Sequence, residues 1–274
     1  MNQLCHNKRL VMNFVDTHCH IQFKDYKFDP EQTWLDAKAV GVTKILVVGC
    51  DLESSTAAVD FARGKDGVYA VVGVHPHKAK DFLSDKNAQN RLKNLLDEAN
   101  NNKIVAIGEF GLDYFYENSP KTAQIKVLRY HLELINKYKL PAMLHIRDAF
   151  ADFWPIFDEF RAKSGISGVV HCFSATSEEA NQSLDRGLYV ALNGIMTFTK
   201  DQNQLNAAKI IPLNRLLLET DAPFLTPTPF RGKICKPGHI VHTAEFLAKL
   251  RGESLMDLAE ATTKNAISLF NLKV

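Results

Sequence analysis

The chain has 274 residues, of which 46% are hydrophobic and 23% charged, with a formal net charge of +2 at pH 7. This is enough apolar material for one large α/β unit and excludes disorder over most of the length. A charge so near zero neither demands nor excludes a polyanionic partner, because a cleft can be locally positive on a nearly neutral surface.

At the N-terminus, Lys8 and Arg9 precede an apolar stretch broken at Asn13 and Asp16, too soon for a signal-peptide core. Residues 1–13 read as a short extension and 14–274 as one domain. No run approaches the ~18 apolar residues of a membrane span. Cys5, Cys19, Cys50, Cys172 and Cys235 form no CxxC pair and no dense framework, so a reducing, cytoplasmic setting without a membrane is expected.

From Phe14 onward, short β-branched runs alternate with stretches of helical period, the pattern of a parallel sheet with crossover helices. Strands are expected at Phe14–His20, Lys44–Cys50, Tyr69–His75, Ile104–Phe110, Pro141–Arg147, Gly168–Phe173, Leu188–Asn193 and Leu216–Asp221. Helices are expected at Glu31–Val40, Ala88–Ala99, Thr122–Tyr138, Asp148–Lys163 and Ser177–Arg186. A Pro-rich loop, Pro223–Pro237, then leads to helices at His239–Arg251 and Ser254–Phe270, the second opened by a Ser254–Asp257 capping box. Eight such strands imply an α/β barrel with extra C-terminal helices.

Several strand candidates end in metal-ligand residue types. His18 and His20 flank Cys19, so strand alternation sends both imidazoles to one side and the thiol to the other. Asp16 shares their parity; it either contributes to a polar site or is a buried carboxylate that orients a neighbour. An HxH pair alone suits ordinary packing as well as metal binding. Glu109, His145, His171 and Asp221 end other apolar runs, and strand C-termini of a parallel barrel all face one mouth. Imidazoles with carboxylates suit two divalent ions, with Glu109 as bridge and Asp221 as both ligand and acceptor of a water proton. Mg²⁺, Mn²⁺ and Zn²⁺ are all compatible with such a set. The plainer reading of Asp221 is a loop cap ahead of Pro223.

His75 is a candidate to contact substrate or protonate a leaving group, with His77 beyond Pro76 at equal parity if the strand continues. Arg147 shares parity with His145 and can place a planar fork on a phosphate, or else pair with Asp148 or Glu109. Arg231 and Lys233, in the Pro-rich loop, can meet an anion. His6, His131, His239 and His242 read as local hydrogen-bonding or surface residues, and Cys19 and Cys172 as packing against helices.

The segments VDTHCH (Val15–His20), GVHPH (Gly73–His77), IGEFGLDY (Ile107–Tyr114), LHIRDA (Leu144–Ala149), GVVHCFS (Gly168–Ser174) and LLLETDAPFLTP (Leu216–Pro227) occur in this order. Together they resemble the TatD family of metal-dependent deoxyribonucleases, from about Phe14 to Phe270. The resemblance implies a slightly distorted TIM (β/α)8 barrel and metal ligands at His18, His20, Glu109, His145, His171 and Asp221. It also implies Mg²⁺-supported hydrolysis of DNA phosphodiesters from the 3′ end of single strands. DNA ends are then the partner, with no obligate protein partner evident. Two departures stand out. Ile146 occupies a frequent serine position, where a packing effect is expected, and Cys235–Lys236 replace the usual polar pair in the late loop. The competing functions are hydrolysis of another small ester or amide and a non-catalytic nucleic-acid-binding module.

Overall fold

The computed structural model describes residues 12–97, 103–116 and 118–273; Cys5, His6, Lys8 and Arg9 lie outside them. Its strands are β1 (Phe14–Cys19), β2 (Val42–Val48), β3 (Val68–Val72), β4 (Ile104–Asp113), β5 (Ala142–Arg147), β6 (Gly168–Val170), β7 (Tyr189–Leu192) and β8 (Leu216–Leu218). They form one eight-stranded sheet in chain order, and each successive pair is parallel. This is the topology of the TIM (β/α)8 barrel.

The seam between β8 and β1 is joined through the residues that follow β8. Cys19 bridges Ala222, Asp221 N donates to His18 O at 2.8 Å, and His20 N donates to Ala222 O at 2.6 Å.

The helices are α1 (Pro30–Ala39), α2 (Leu52–Ala62), α3 (Ala79–Ser84), α4 (Ala88–Asp97), α5 (Lys121–Tyr138), α6 (Phe150–Ser164), α7 (Ser177–Asp185), α8 (Gln202–Ile210), α9 (Ile240–Arg251) and α10 (Leu255–Phe270). Every helix expected from the periodicity is present, and α2, α3 and α8 are additional. The end of the helix expected to reach Ala99 falls outside the described residues. Ser254 caps α10 by accepting the Asp257 N–H at 3.0 Å. Reciprocal capping boxes are made instead by Asp51 with Ser54 and by Thr176 with Glu179.

Strand alternation divides the core in two. Val15, Leu46, Val71, Met143, Val169 and Leu217 fill the barrel, sealed by Leu269 and Phe270 of α10. Phe14, Ile45, Leu144 and Leu218 face outward with Leu128, Phe153 and Phe157 of the surrounding helices. Burying a side chain such as Phe153 contributes roughly 1.5–3 kcal/mol. Among the described residues, no helix is long and apolar enough to cross a membrane.

Candidate metal centre at the barrel mouth

Above the apolar filling, the same strands turn polar. Glu109 is set by a bulge: Gly108 opposes Met143 and Phe110 opposes Leu144, so Glu109 is the extra residue of β4, and such an insertion re-aims a side chain. Gly111 keeps the passage narrow, since a Cβ there would meet the His145 carbonyl oxygen at 1.8 Å. The Glu109 carboxylate is 3% exposed and divides its oxygens between two groups of imidazoles. Oε2 lies 3.3 Å from His18 Nε2 and 3.8 Å from His20 Nε2. Oε1 lies 2.7 Å from His171 Nε2, 2.8 Å from His145 Nδ1 and 3.3 Å from His75 Nε2. Asp221 Oδ1 sits 3.3 Å from His20 Nε2 and 3.6 Å from His18 Nε2. All six expected ligands therefore converge, and combinations of them form three-residue groups able to hold a cation.

The outer nitrogens of these rings decide what the inner ones offer. His20 Nδ1 donates to Val48 O at 2.8 Å, which leaves the Nε2 lone pair facing His18 Nε2 at 3.1 Å. His145 Nε2 bonds Asp113 Oδ2 at 2.9 Å, so its Nδ1 faces Glu109 and, at 3.1 Å, His171 Nε2. Lone pairs and a carboxylate converging this closely require positive charge between them. The pKa directions show the same demand. Burial depresses His171, yet the Glu109 and Glu219 carboxylates raise it to about 10. Burial alone would raise Glu109, but His171 and His75 hold it well below the carboxylate range. His18, deepest in the floor, is driven down to about 3 by burial and by His171. The donor set thus fits divalent ions held by nitrogen and oxygen ligands.

Two carboxylates escaped the sequence reading. Asp113 orients His145 and lies 3.2 Å from His77 Nε2; it shares the parity of Glu109 because β4 runs three residues past its expected end. Glu219 is fully buried, accepts Cys172 N at 2.7 Å and Asn193 Nδ2 at 3.1 Å, and lies 3.6 Å from His171 Nδ1. The alternation Leu217, Glu219, Asp221 was the available signal.

Several expectations need correction. β1 slips in register between Asp16 and Cys19, so Asp16 loses the parity of His18. It accepts Thr220 N at 2.9 Å, Thr220 Oγ1 at 2.6 Å and His18 N at 3.2 Å, as an orienting carboxylate. β3 ends at Val72 and Pro76–Lys78 form a 3₁₀ turn, so a turn, and not a continuing strand, brings His75 and His77 to the cleft. Cys19 packs in the core as expected, but Cys172 has φ 48° and lines the cleft, as does Ile146. Arg147 pairs with neither Asp148 nor Glu109 among the described residues; its guanidinium lies 3.8 Å over the Phe115 ring. Arg231 is outside the cleft, held 3.6 Å over Phe198 and bonded to Thr226 O at 3.2 Å. Lys233 lies over Phe230. In the departing loop, Cys235 is fully buried, while Lys236 sits 4.2 Å over Phe28 and 3.7 Å from Asp36. His131 is buried and satisfied at both nitrogens, His239 stacks on Phe230, and His242 pairs with Glu245. The cleft above this centre has a volume of about 870 Å³.

An eight-stranded parallel barrel with histidines and carboxylates at its C-terminal mouth defines the class of metal-dependent hydrolases. The chain belongs to the TatD family: the profile described as TatD related DNase matches residues 15–271. It is 38% identical to the uncharacterized metal-dependent hydrolase YabD of Bacillus subtilis, over 94% of this chain and 98% of that relative. It is 35% identical to the uncharacterized metal-dependent hydrolase YcfH of Escherichia coli K12, over 95% and 97% respectively. The crystal structure of YjjV, a TatD homolog from Escherichia coli K12, superposes with a TM-score of 0.87 at 28% identity, covering 96% of this chain and 100% of that one.

Proposed function

We propose that the protein is a deoxyribonuclease that hydrolyses phosphodiester bonds at the 3′ ends of single-stranded DNA, using two divalent ions, Mg²⁺ in function. The observation that carries this reading is the division of the Glu109 oxygens, Oε2 toward His18 and His20 and Oε1 toward His75, His145 and His171. A single carboxylate placed between two ligand groups is what a bridge between two ions requires. Such ions, when bound, lower the pKa of a water and stabilise the charge developing on a phosphate.

His18, His20 and Asp221 would hold one ion beside Glu109 Oε2, and His145 and His171 the other beside Oε1. Asp221, whose side chain is 14% exposed at the cleft floor, accepts the proton of the attacking water. His75 Nδ1 accepts the His77 backbone N–H at 3.1 Å, so a neutral His75 carries its proton on Nε2, toward Glu109 and the cleft. That N–H can donate a hydrogen bond to the leaving 3′ oxygen as the P–O bond breaks, easing its developing charge while a solvent water supplies the proton. The Arg147 guanidinium, already positioned over Phe115, offers its N–H edge to a phosphate oxygen.

End-labelled single- and double-stranded DNA incubated with Mg²⁺, Mn²⁺ or a chelator tests the reading. Metal-dependent shortening of single strands is expected. An intact label with metal demonstrably bound would instead favour hydrolysis of a smaller ester or amide.

A further inference from the structure

Aromatic rings stand at both rims of the cleft, each fastened to the metal centre. On the β8 side, Phe224 is 53% exposed, and its N–H donates to Asp221 O at 2.8 Å in the turn that follows Asp221. Its ring lies 6.3 Å from that of His20. On the β4 side, Phe115 and Tyr116 are 54% and 47% exposed, and both N–H groups donate to Asp113 Oδ1 at 3.0 Å. The Tyr116 ring lies 5.6 Å from that of His77. Arg147 spans this second wall, 3.8 Å over Phe115 and 4.9 Å from the Tyr116 centroid. Carboxyl residues of the centre thus anchor exposed rings on opposite sides of it.

Exposed rings gathered at the rims of a polar cleft gain free energy when a flat apolar ligand face covers them. A ligand matching this wall carries an anion for the centre and flat π-faces on either side of it. Nucleobases adjoining a backbone phosphate meet both conditions, and only a single strand leaves their faces free, since in a duplex they are stacked on one another. We propose that Phe224 and Tyr116 are stacking platforms for the two bases that flank the reacting phosphate, with Phe115 and Arg147 buttressing Tyr116. This rests on the nuclease reading above and extends it: the rings would select single strands without selecting sequence, because every base has a π-face.

The probe is a single-stranded hexamer carrying 2-aminopurine at its terminal or penultimate 3′ position, with a non-hydrolysable phosphonate as its last 3′ linkage to hold the strand uncleaved, titrated with the Mg²⁺-loaded protein. Quenched fluorescence at both positions is expected on binding. Phe224→Ala and Tyr116→Ala should each weaken binding about tenfold and relieve quenching at one position, the change that loss of one base stack corresponds to. Phe224→Trp and Tyr116→Trp should preserve both. Binding with undiminished fluorescence, or alanine variants that bind and quench like the parent, would overturn the proposal. Failure to bind the strand at all would overturn it together with the nuclease reading. Quenching that depends on these rings, alongside a wild-type protein that leaves labelled DNA intact, would sustain the platforms and remove the nuclease assignment.

Discussion

The two halves of the barrel interior are built by the same strands and could hardly differ more. Below, Val15, Leu46, Val71, Met143, Val169 and Leu217 fill the space with hydrocarbon under the α10 seal. A few residues further along, His18, Glu109, His145, His171 and Asp221 crowd nitrogens and oxygens into contact. The lower half gains from burial what the upper half loses to desolvated polar groups and mutual repulsion. A rigid apolar base therefore lets an unfavourable cluster persist in one geometry.

Substitutions in each half should separate these roles. Glu109→Gln is expected to have the largest effect, reducing metal-dependent hydrolysis by about a thousandfold or more because the amide cannot supply two anionic oxygens. Far-ultraviolet circular dichroism should remain close to wild type. Leu217→Ala should do the reverse in kind, lowering unfolding free energy by about 2–5 kcal/mol through a cavity while metal-dependent turnover below the melting range persists. Denaturant titration measures the loss for Leu217→Ala, and a Leu217→Ala protein that lost turnover without losing stability would contradict the division.

Histidine environments sharpen the comparison. At the mouth His171 is drawn toward its charged form, whereas His131 is buried and pushed down to about 4 by desolvation. His131 Nδ1 donates to Val127 O at 2.8 Å and Nε2 accepts the Val74 N–H at 3.1 Å, so the ring is used as a neutral group. With the folded value below the unfolded value of about 6.5, its contribution is complete above pH 6.5 and lost as pH falls through 4. Across that window wild type should lose about 3 kcal/mol relative to His131→Phe, a difference read from unfolding curves at each pH. A parallel pair of curves would show that His131 does not stay neutral. The smallest effect is expected from Asp113→Asn, which should weaken metal binding by about 10- to 100-fold by releasing His145, with Glu109 and the fold intact. Competition with a chromophoric chelator reads that change, and unchanged affinity would remove the orienting role.

Much of this arrangement was legible in the sequence. Parallel strands buried on both faces appear as unbroken apolar runs, and each of the eight was located within a few residues. The residues that converge at the mouth were signalled by what ends those runs. The helices α2 and α8 escaped because they bury chiefly Ser55, Ala58 and Ala62, and Ala207 and Ala208, too small to write an apolar stripe. Parity failed where the backbone departs from a regular strand: the slip after Asp16 and the left-handed Cys172. Asp113 was hidden by a strand longer than its apolar run. Arg231 could not be placed because its partner, Phe198, is distant in sequence and leaves no local trace.

The seam between β1 and β8 has a further consequence. Asp221 N bonds His18 O and His20 N bonds Ala222 O, so the hydrogen bonds that close the ring belong to the residues that carry the ligands. An ion shared by His18, His20 and Asp221 would act as a clasp between the first and last strands of the barrel, cross-linking a long loop in the topology. Fraying of the barrel and loss of the cofactor would then be one event. Amide exchange at His20 and Asp221 would report how firmly that clasp is shut.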